Sequence, residues 1–309
     1  MKRIGKFLLT ASAAACLAIP QTAMAGAYLS GDFHNHTAFT DGSTSIDTVT
    51  DQAVGTFGLD WFVQSGHGGG WSRDGRYDDF YYNCEADGQG YSWEATPDGV
   101  VFEGDYAGTG YCGAQNMWRW QSLQQYAYPT TNDKYMEYGK PIIQGYEYQV
   151  PGHEHCSHAN ISGQFDASNA DALGQFEYLF DARDMDTSEG GGQGWTGKIP
   201  NIADGPEAGN IMHEKAVASV KWLQENYPTT SYVVWAHIER KGAHNPDEAY
   251  GSGYNVEHFR DFNNAGPDVA FGWEGEPGHQ ASGSRGGFGS RAFGGTYGGV
   301  GYYSATIGH

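Results

Sequence analysis

Short apolar segments that end at a histidine or a glutamate recur along this chain, and they constrain its fold more than any other feature. Four of them have the composition of β-strands, at residues 28–32, 59–65, 141–148 and 231–236. Between the first two, Ser45 is a good helix N-cap, and apolar residues from 46 to 57 recur at spacings of three and four. A strand, a helix and a strand at this spacing predict a βαβ unit with parallel strands, so we expect an α/β fold.

Side chains that bind metals follow these predicted strands. His34 and His36 lie two residues apart, so on an extended chain both imidazoles point to the same side, and Asp41 returns a carboxylate from the next turn. In a (β/α) barrel, the carboxyl ends of the strands converge on the face that carries the active site. We therefore expect one site to collect the residues at the strand ends, which are His34, His36, His67, Glu147 and His237.

The types of ligand in this set indicate the metal and the chemistry. Imidazole nitrogen together with carboxylate oxygen favours zinc, manganese or iron over calcium or magnesium. So large a set can hold more than one divalent ion. Ions about 3.5 to 4 Å apart are the usual means of hydrolysing phosphate esters. The pattern thus predicts a metal-dependent hydrolase that acts on a small phosphorylated substrate.

The segment 150–161 is rich in histidine and superficially resembles a zinc-protease helix. That motif requires a second histidine four residues after the first, but Ser157 stands four residues after His153. We interpret the segment as a turn between strands, which returns either His155 or His158 to the metal, and we expect a short strand at 159–162 after it. Cys156 is a potential soft ligand, although a buried thiol with no role in the site is the favoured interpretation.

Polar residues also follow the later strands. Glu274 comes after a predicted strand at 269–271 and could orient a ligand or a water molecule, and His279 could contact the substrate or act as an acid. Arg240 and Lys241 are candidates for binding a phosphate group. The predicted catalytic residues are Asp41, Arg240 and His279.

The first 25 residues have the features of a secretory signal peptide. Three basic residues precede an apolar run at 7–19, and a small-x-small motif ends at Ala25. We expect cleavage near Ala25 and Gly26, and a periplasmic or secreted protein with one domain at 26–309. No later segment has the roughly 18 consecutive apolar residues of a membrane span.

The sequence after the leader is strongly acidic. The whole chain has a formal charge of −20, and without the leader 14 basic residues face 37 acidic ones, which gives −23. Such acidity disfavours nucleic acid and anionic membranes as partners. Nothing in the pattern indicates an oligomeric state.

A long insertion rich in Gly, Tyr, Trp and Asp lies at about 68–140. Its aromatic content predicts a packed lid or wall over the site rather than a disordered loop. The apolar residues towards its end predict a helix near 115–126. In an oxidising compartment, Cys84 and Cys112 within it could form a disulfide.

Several of these motifs together resemble the PHP (polymerase and histidinol phosphatase) family. The matching segments are His34-x-His36, Asp41-Gly42, Gly58-Leu59-Asp60, Ser65-Gly66-His67, Gly145-Tyr146-Glu147 and Ala236-His237. The resemblance covers nearly all of the chain after the leader except the insertion. It implies a distorted (β/α)7 TIM-like barrel with two or three metal ions and phosphoesterase activity. By position it implies these ligands: His34, His36, His67, Glu147 and His237, with Asp41 at a variable polar position and either His155 or His158 between Glu147 and His237.

Members of that family complete the site with an Asp-x-His pair on a late strand, and no such pair follows His237 here. We therefore expect the sequence to lack the last strand and helix. Two other functions remain open. One is an amidohydrolase-type metal hydrolase, which also begins with His-x-His but commonly uses a bridging lysine that no candidate strand supplies here. The other is a non-catalytic exported metal-binding protein.

Overall fold

The computed structural model describes residues 28–42, 44–70, 72–76, 93–95, 99–109, 115–165, 171–236, 238 and 244–274. Some of the sequence predictions concern residues outside these ranges, namely the signal peptide, Cys84, Cys112, His237, Arg240, Lys241 and His279. Among the helices within these ranges, none combines the length and the apolar character needed to cross a membrane.

The protein has an α/β fold built on a six-stranded mixed sheet, which curls into a half-barrel. Its strands are β1 (Gly31–Asp32), β2 (Trp61–Gln64), β3 (Ile142–Gln149), β4 (His155–Asn160), β5 (Ser231–Trp235) and β6 (Ala270–Trp273). They lie side by side in the order of the sequence. The first three are parallel, β4 is antiparallel to both β3 and β5, and β6 is parallel to β5. The predicted parallel βαβ unit is therefore present.

The helices lie between the strands in the sequence and pack against the sheet. The α-helices are α1 (Ile46–Thr50), α2 (Arg119–Ser122), α3 (Tyr128–Tyr138), α4 (Ser162–Phe165), α5 (Ala172–Phe180), α6 (Glu189–Gly192), α7 (Ala208–Asn226) and α8 (Val256–Ala265). A π-helix at Asp51–Thr56 continues α1, another at Leu123–Ala127 joins α2 to α3, and Trp93–Ala95 forms a 3₁₀ turn. Ser45 caps α1 as predicted, because its hydroxyl accepts a hydrogen bond from Thr48 N at 3.2 Å.

The chain between β3 and β4 differs from the sequence prediction. The turn is confined to residues 151–154, and His155 already belongs to β4, which starts four residues earlier than the strand expected at 159–162. Because β4 is antiparallel to β3, its first residue lies beside the last residue of β3, and Gln149 pairs with His155. This hairpin returns the chain to the edge of the sheet where β3 ends.

Part of the 68–140 insertion belongs to the core. Trp93 and Met117 pack with Phe62 of β2 and Ile142 of β3, and all four are at most 1% exposed. Trp120 and Leu123 join a second apolar cluster, which contains residues of α5, α7, α8 and the strands β3 to β6. The described part of the insertion is therefore a packed wall of the fold.

His158 is buried in this second region, between the sheet and α5. Its Nδ1 donates a hydrogen bond to Tyr232 O at 2.8 Å, and its ring lies 4.2 Å from that of Phe176, centre to centre. Burial lowers the pKa of His158 to about 4, because a charged imidazolium cannot be hydrated there. In the unfolded chain a histidine titrates near 6.5, so the folded protein resists a proton that the unfolded chain accepts.

We predict that this histidine makes the protein less stable in mild acid. The contribution of neutral His158 to the free energy of unfolding is present above about pH 6.5 and is lost as the pH falls towards 4. The loss between pH 7 and pH 5 is about 2 kcal/mol. Glutamine keeps a donor at this position and does not titrate. In urea unfolding, His158→Gln should lose about 2 kcal/mol less than the wild type between these pH values. Equal losses in the two proteins would contradict the prediction.

Candidate metal centre

Six of the predicted site residues meet at one edge of the sheet. His34 and His36 follow β1, Asp41 lies in the turn after them, His67 follows β2, Glu147 lies in β3 and His155 begins β4. The parallel strands β1 to β3 bring their carboxyl ends to this edge. Since β4 runs in the opposite direction, it brings its amino end to the same place.

Glu147 is the centre of the group and is completely buried. Its Oε2 lies 3.1 Å from His36 Nε2 and 2.9 Å from His67 Nδ1. Its Oε1 lies 3.5 Å from both His34 Nε2 and His155 Nδ1. One carboxylate is thus surrounded by four imidazoles that come from three separate parts of the chain.

The rings of His34 and His36 are oriented by hydrogen bonds at their outer nitrogens. Nδ1 of His34 lies 2.7 Å from Glu274 Oε1, and Nδ1 of His36 lies 2.6 Å from Asp41 Oδ1. A proton on each Nδ1 satisfies these carboxylates, so both Nε2 atoms face Glu147. The two Nε2 atoms are 3.1 Å apart. Without metal, protons on these nitrogens can be donated to Glu147; once the protons are lost, the two lone pairs and the carboxylate can bind a cation between them.

The spacing of these donor atoms suits a transition metal ion. Ligands about 2.0 to 2.1 Å from a tetrahedral zinc ion lie about 3.3 Å from one another. The separations among His34 Nε2, His36 Nε2 and the Glu147 oxygens are 3.1 to 3.5 Å. The donor set and its spacing therefore fit a bound divalent ion.

Three overlapping groups of ligands are present, each with donor atoms within 4.8 Å of one another. They are His34, His36 and Glu147; His36, Asp41 and His67; and His67, Glu147 and His155. Each group shares a residue with the others, so a bound ion in one would have a neighbour linked through a common side chain. The His, Asp and Glu side chains are therefore positioned to hold a metal ion.

Carboxylates control the charge of the histidines. Burial opposes protonation of His36, but its contacts with Asp41 and Glu147 outweigh burial and raise its pKa to about 10. The same balance, with the charge of Glu147 as the main favourable effect, raises the pKa of His67 to about 9. Burial also acts against the charge of Asp41, yet the two histidines hold the pKa of that carboxyl well below its usual range. The centre therefore favours positive charge.

The structure brings His155 to this site and not His158. Residues directly opposite in the β3–β4 pair share a face, and the site face carries Glu147 opposite Ser157 and Gln149 opposite His155. His158 lies opposite Tyr146 on the other face, against α5. The structure therefore places His155, and not His158, beside the other candidate ligands. Cys156 also points away from the site and is a free, buried thiol.

Glu274 occupies the supporting position that the sequence suggested for it. Its Oε1 accepts hydrogen bonds from His34 Nδ1 and, at 2.6 Å, from Ser157 Oγ. Ser157 was not predicted, and neither were two further residues around His155. Gln149 contacts both His67 and His155, at 2.7 and 2.5 Å, and Glu154 Oε2 lies 2.9 Å from His155 Nδ1. The sequence could have indicated Gln149, because it lies two residues after Glu147 and alternate residues of a strand share a face.

No protein-family model, curated protein or solved structure matches the chain. Its interpretation therefore depends on the geometry of the site and on the motifs in the sequence.

We predict that Glu274 strengthens metal binding through His34. A carboxylate on the outer nitrogen of a ligating histidine typically contributes 10- to 100-fold in metal affinity, because it fixes the ring and makes the nitrogen more basic. Glu274→Ala should therefore weaken zinc binding by roughly 10- to 100-fold in competition with a chromophoric chelator. Glu225→Ala is the matched control, because Glu225 is exposed on α7. Equal affinities for the two variants would contradict this role.

Proposed function

We propose that this protein is a metal-dependent phosphoesterase of the PHP type. The observation that carries the proposal is the position of Glu147, a fully buried carboxylate within 3.5 Å of nitrogen atoms from four histidines. Four imidazoles and a shared carboxylate are the ligands of multinuclear zinc, manganese or iron centres. The His-x-His motif and the glycine before Tyr146-Glu147 support the same family.

The three overlapping groups would hold two or three divalent ions of this kind. Such ions supply positive charge for the phosphoryl oxygens and an activated water as nucleophile. His34, His36, His67 and His155 would serve as ligands, and Glu147 as the carboxylate that the ions share. His237 remains a predicted ligand outside the described residues.

The residues around the ligands have distinct roles. Glu274 and Ser157 fix the ring of His34, and Gln149 fixes the rings of His67 and His155. Asp41 is one third exposed, whereas Glu147 is completely buried. Asp41 is thus the carboxylate at the open side of the centre, and its low pKa keeps it ionised, so it can orient His36 and offer a negatively charged ligand on the side of the substrate.

We extend the half-barrel to a distorted (β/α)7 barrel on the basis of the family resemblance. The substrate would be a small phosphorylated compound, bound with the help of Arg240 and His279. The predicted leader suggests that the reaction takes place in the periplasm or outside the cell.

Phosphatase assays with defined metals test this function. Purified full-length protein, stripped of metal and reloaded separately with zinc, manganese or iron, should hydrolyse p-nitrophenyl phosphate or bis-p-nitrophenyl phosphate. Glu147→Gln removes the shared charge with little change of shape, and it should lower kcat/KM by roughly 100-fold or more and reduce bound metal. His158→Gln is the matched control, because this histidine lies on the opposite face of β4.

The alternatives give different results in the same experiment. Bound metal without turnover of any phosphoester would overturn the phosphoesterase proposal and favour a non-catalytic metal-binding protein. Hydrolysis of amides or lactones, but not of phosphoesters, would favour an amidohydrolase-type enzyme. Equal activity of Glu147→Gln and the wild type would show that the candidate metal centre is not the active site.

A further inference from the structure

A second group of histidines lies outside the candidate metal centre. His153 is in the turn between β3 and β4, His213 is on α7, His244 precedes α8 and His258 is on α8. Their rings lie 4.4 to 5.0 Å apart, centre to centre, in five of the pairs. We refer to these four residues as the all-histidine cluster.

We propose that the all-histidine cluster binds one divalent transition metal ion, with His153, His244 and His258 as ligands. These three residues can each direct one ring nitrogen to a common point, with the three atoms within 4.8 Å of one another. The ligands come from a turn, a loop and a helix, so the ion would join parts of the chain that are far apart in the sequence. Three protein ligands would leave one position of a tetrahedral ion open.

The hydrogen bonds of the rings favour ligation for two of the three. Nδ1 of His153 donates to Gly253 O at 3.0 Å, which leaves the lone pair on Nε2. Nε2 of His244 lies 3.1 Å from Asn210 Oδ1 and donates to it, which leaves the lone pair on Nδ1. A backbone or side-chain oxygen on the outer nitrogen is the usual support of a ligating histidine.

Two ring nitrogens of the cluster are buried without a hydrogen bond of good geometry to a described residue, namely Nδ1 of His244 and Nε2 of His213. The backbone of Gly152 lies beside His244, and Asp261 Oδ2 lies 3.6 Å from His213 Nε2. Buried polar atoms normally have partners, so atoms of this kind call for an explanation such as an ion. His213 also lies against His153, with Nδ1 2.8 Å from its Nε2. Without metal, His213 Nδ1 therefore donates a hydrogen bond to the lone pair on His153 Nε2. The same lone pair would bind an ion.

His258 must give up one contact to take part. Its Nδ1 accepts a hydrogen bond from Asn255 N at 3.0 Å, which completes the capping box of α8. Ligation through Nε2 moves the ring proton to Nδ1, and ligation through Nδ1 uses its lone pair, so either choice breaks this bond. One hydrogen bond at a helix end is exchanged for a metal–nitrogen bond.

The surroundings keep the cluster neutral, as ligation requires. Burial and the neighbouring histidines lower the pKa of His258 to about 3 and hold that of His153 well below its usual range. Burial also lowers the pKa of His213 and of His244. No carboxylate belongs to the ligand group, so its donors are imidazole nitrogens alone. Such a set suits zinc, copper or nickel rather than manganese.

The test counts ions in variants that separate the two sites. Full-length protein without a histidine tag is stripped of metal, exposed to zinc or cobalt, passed through a desalting column and analysed for bound metal. His36→Ala/Glu147→Gln, which disrupts all three ligand groups of the first centre, should retain one ion, and the further change His244→Ala should remove it or weaken its binding by roughly 100-fold. His158→Gln in place of His244→Ala is the matched control and should leave the count unchanged.

X-ray absorption of the zinc retained by His36→Ala/Glu147→Gln should show nitrogen ligands without a carboxylate. If the double and triple variants bind the same amount of metal, the proposal is wrong. It is also wrong if the double variant binds none while remaining folded by circular dichroism. If the double variant does not fold, His244→Ala alone should bind one ion fewer than the wild type, and an unchanged count would overturn the proposal. The proposed phosphoesterase function can fail without affecting any of these outcomes.

Discussion

The buried carboxylate of Glu147 is the constraint on which the site depends. An ionised carboxylate without water costs several kcal/mol unless positive charge and hydrogen bonds surround it. The structure supplies these through imidazoles that follow β1, β2 and the turn before β4. A shift of the β3–β4 register by one residue would replace Glu147 at the site by Tyr146 or Tyr148. The register of the β3–β4 pair therefore decides which side chains form the site.

The sequence predicted the parts of the site that follow local rules. Alternation along an extended chain places His34 and His36 together, and the common edge of parallel strands adds His67 and Glu147. It left His155 and His158 as alternatives because their faces depend on where the turn ends and on the direction of β4. Neither the end of the turn nor the direction of β4 follows from the local sequence, because both depend on how β4 pairs with β3 and β5 in the sheet.

Helix boundaries show the same limit. The apolar pattern predicted a helix near 115–126, whereas the structure begins it at Arg119 and continues it to Tyr138. Pro129 near the start of α3 would normally end a helix, because it has no N–H and its ring crowds the preceding turn. Here a π-helical stretch at Leu123–Ala127 comes directly before α3 and widens the preceding turn. The helix therefore continues beyond Pro129, although the apolar pattern predicts that it ends near residue 126.

The two groups of histidines use one type of residue in opposite electrostatic settings. At the first, Asp41 and Glu147 raise the pKa of His36 to about 10. At the second, burial lowers the pKa of His258 to about 3, and the other rings add to the effect. The all-histidine cluster joins parts of the chain 60 residues apart, as the contact of His153 with His213 shows, so sequence spacing does not reveal it.

The donor chemistry of the two groups also differs. Shared carboxylates let the first accept manganese or iron as well as zinc, whereas imidazole alone disfavours manganese. Only residue 154 separates His153 from His155, and the Tyr254 hydroxyl donates to the carbonyls of Glu154 and His155 at 2.8 and 3.0 Å. That backbone is therefore held from the side of α8. An ion that fixes His153 and α8 would restrain the segment that presents His155 to the first centre, so the second group can support the first without touching its ligands.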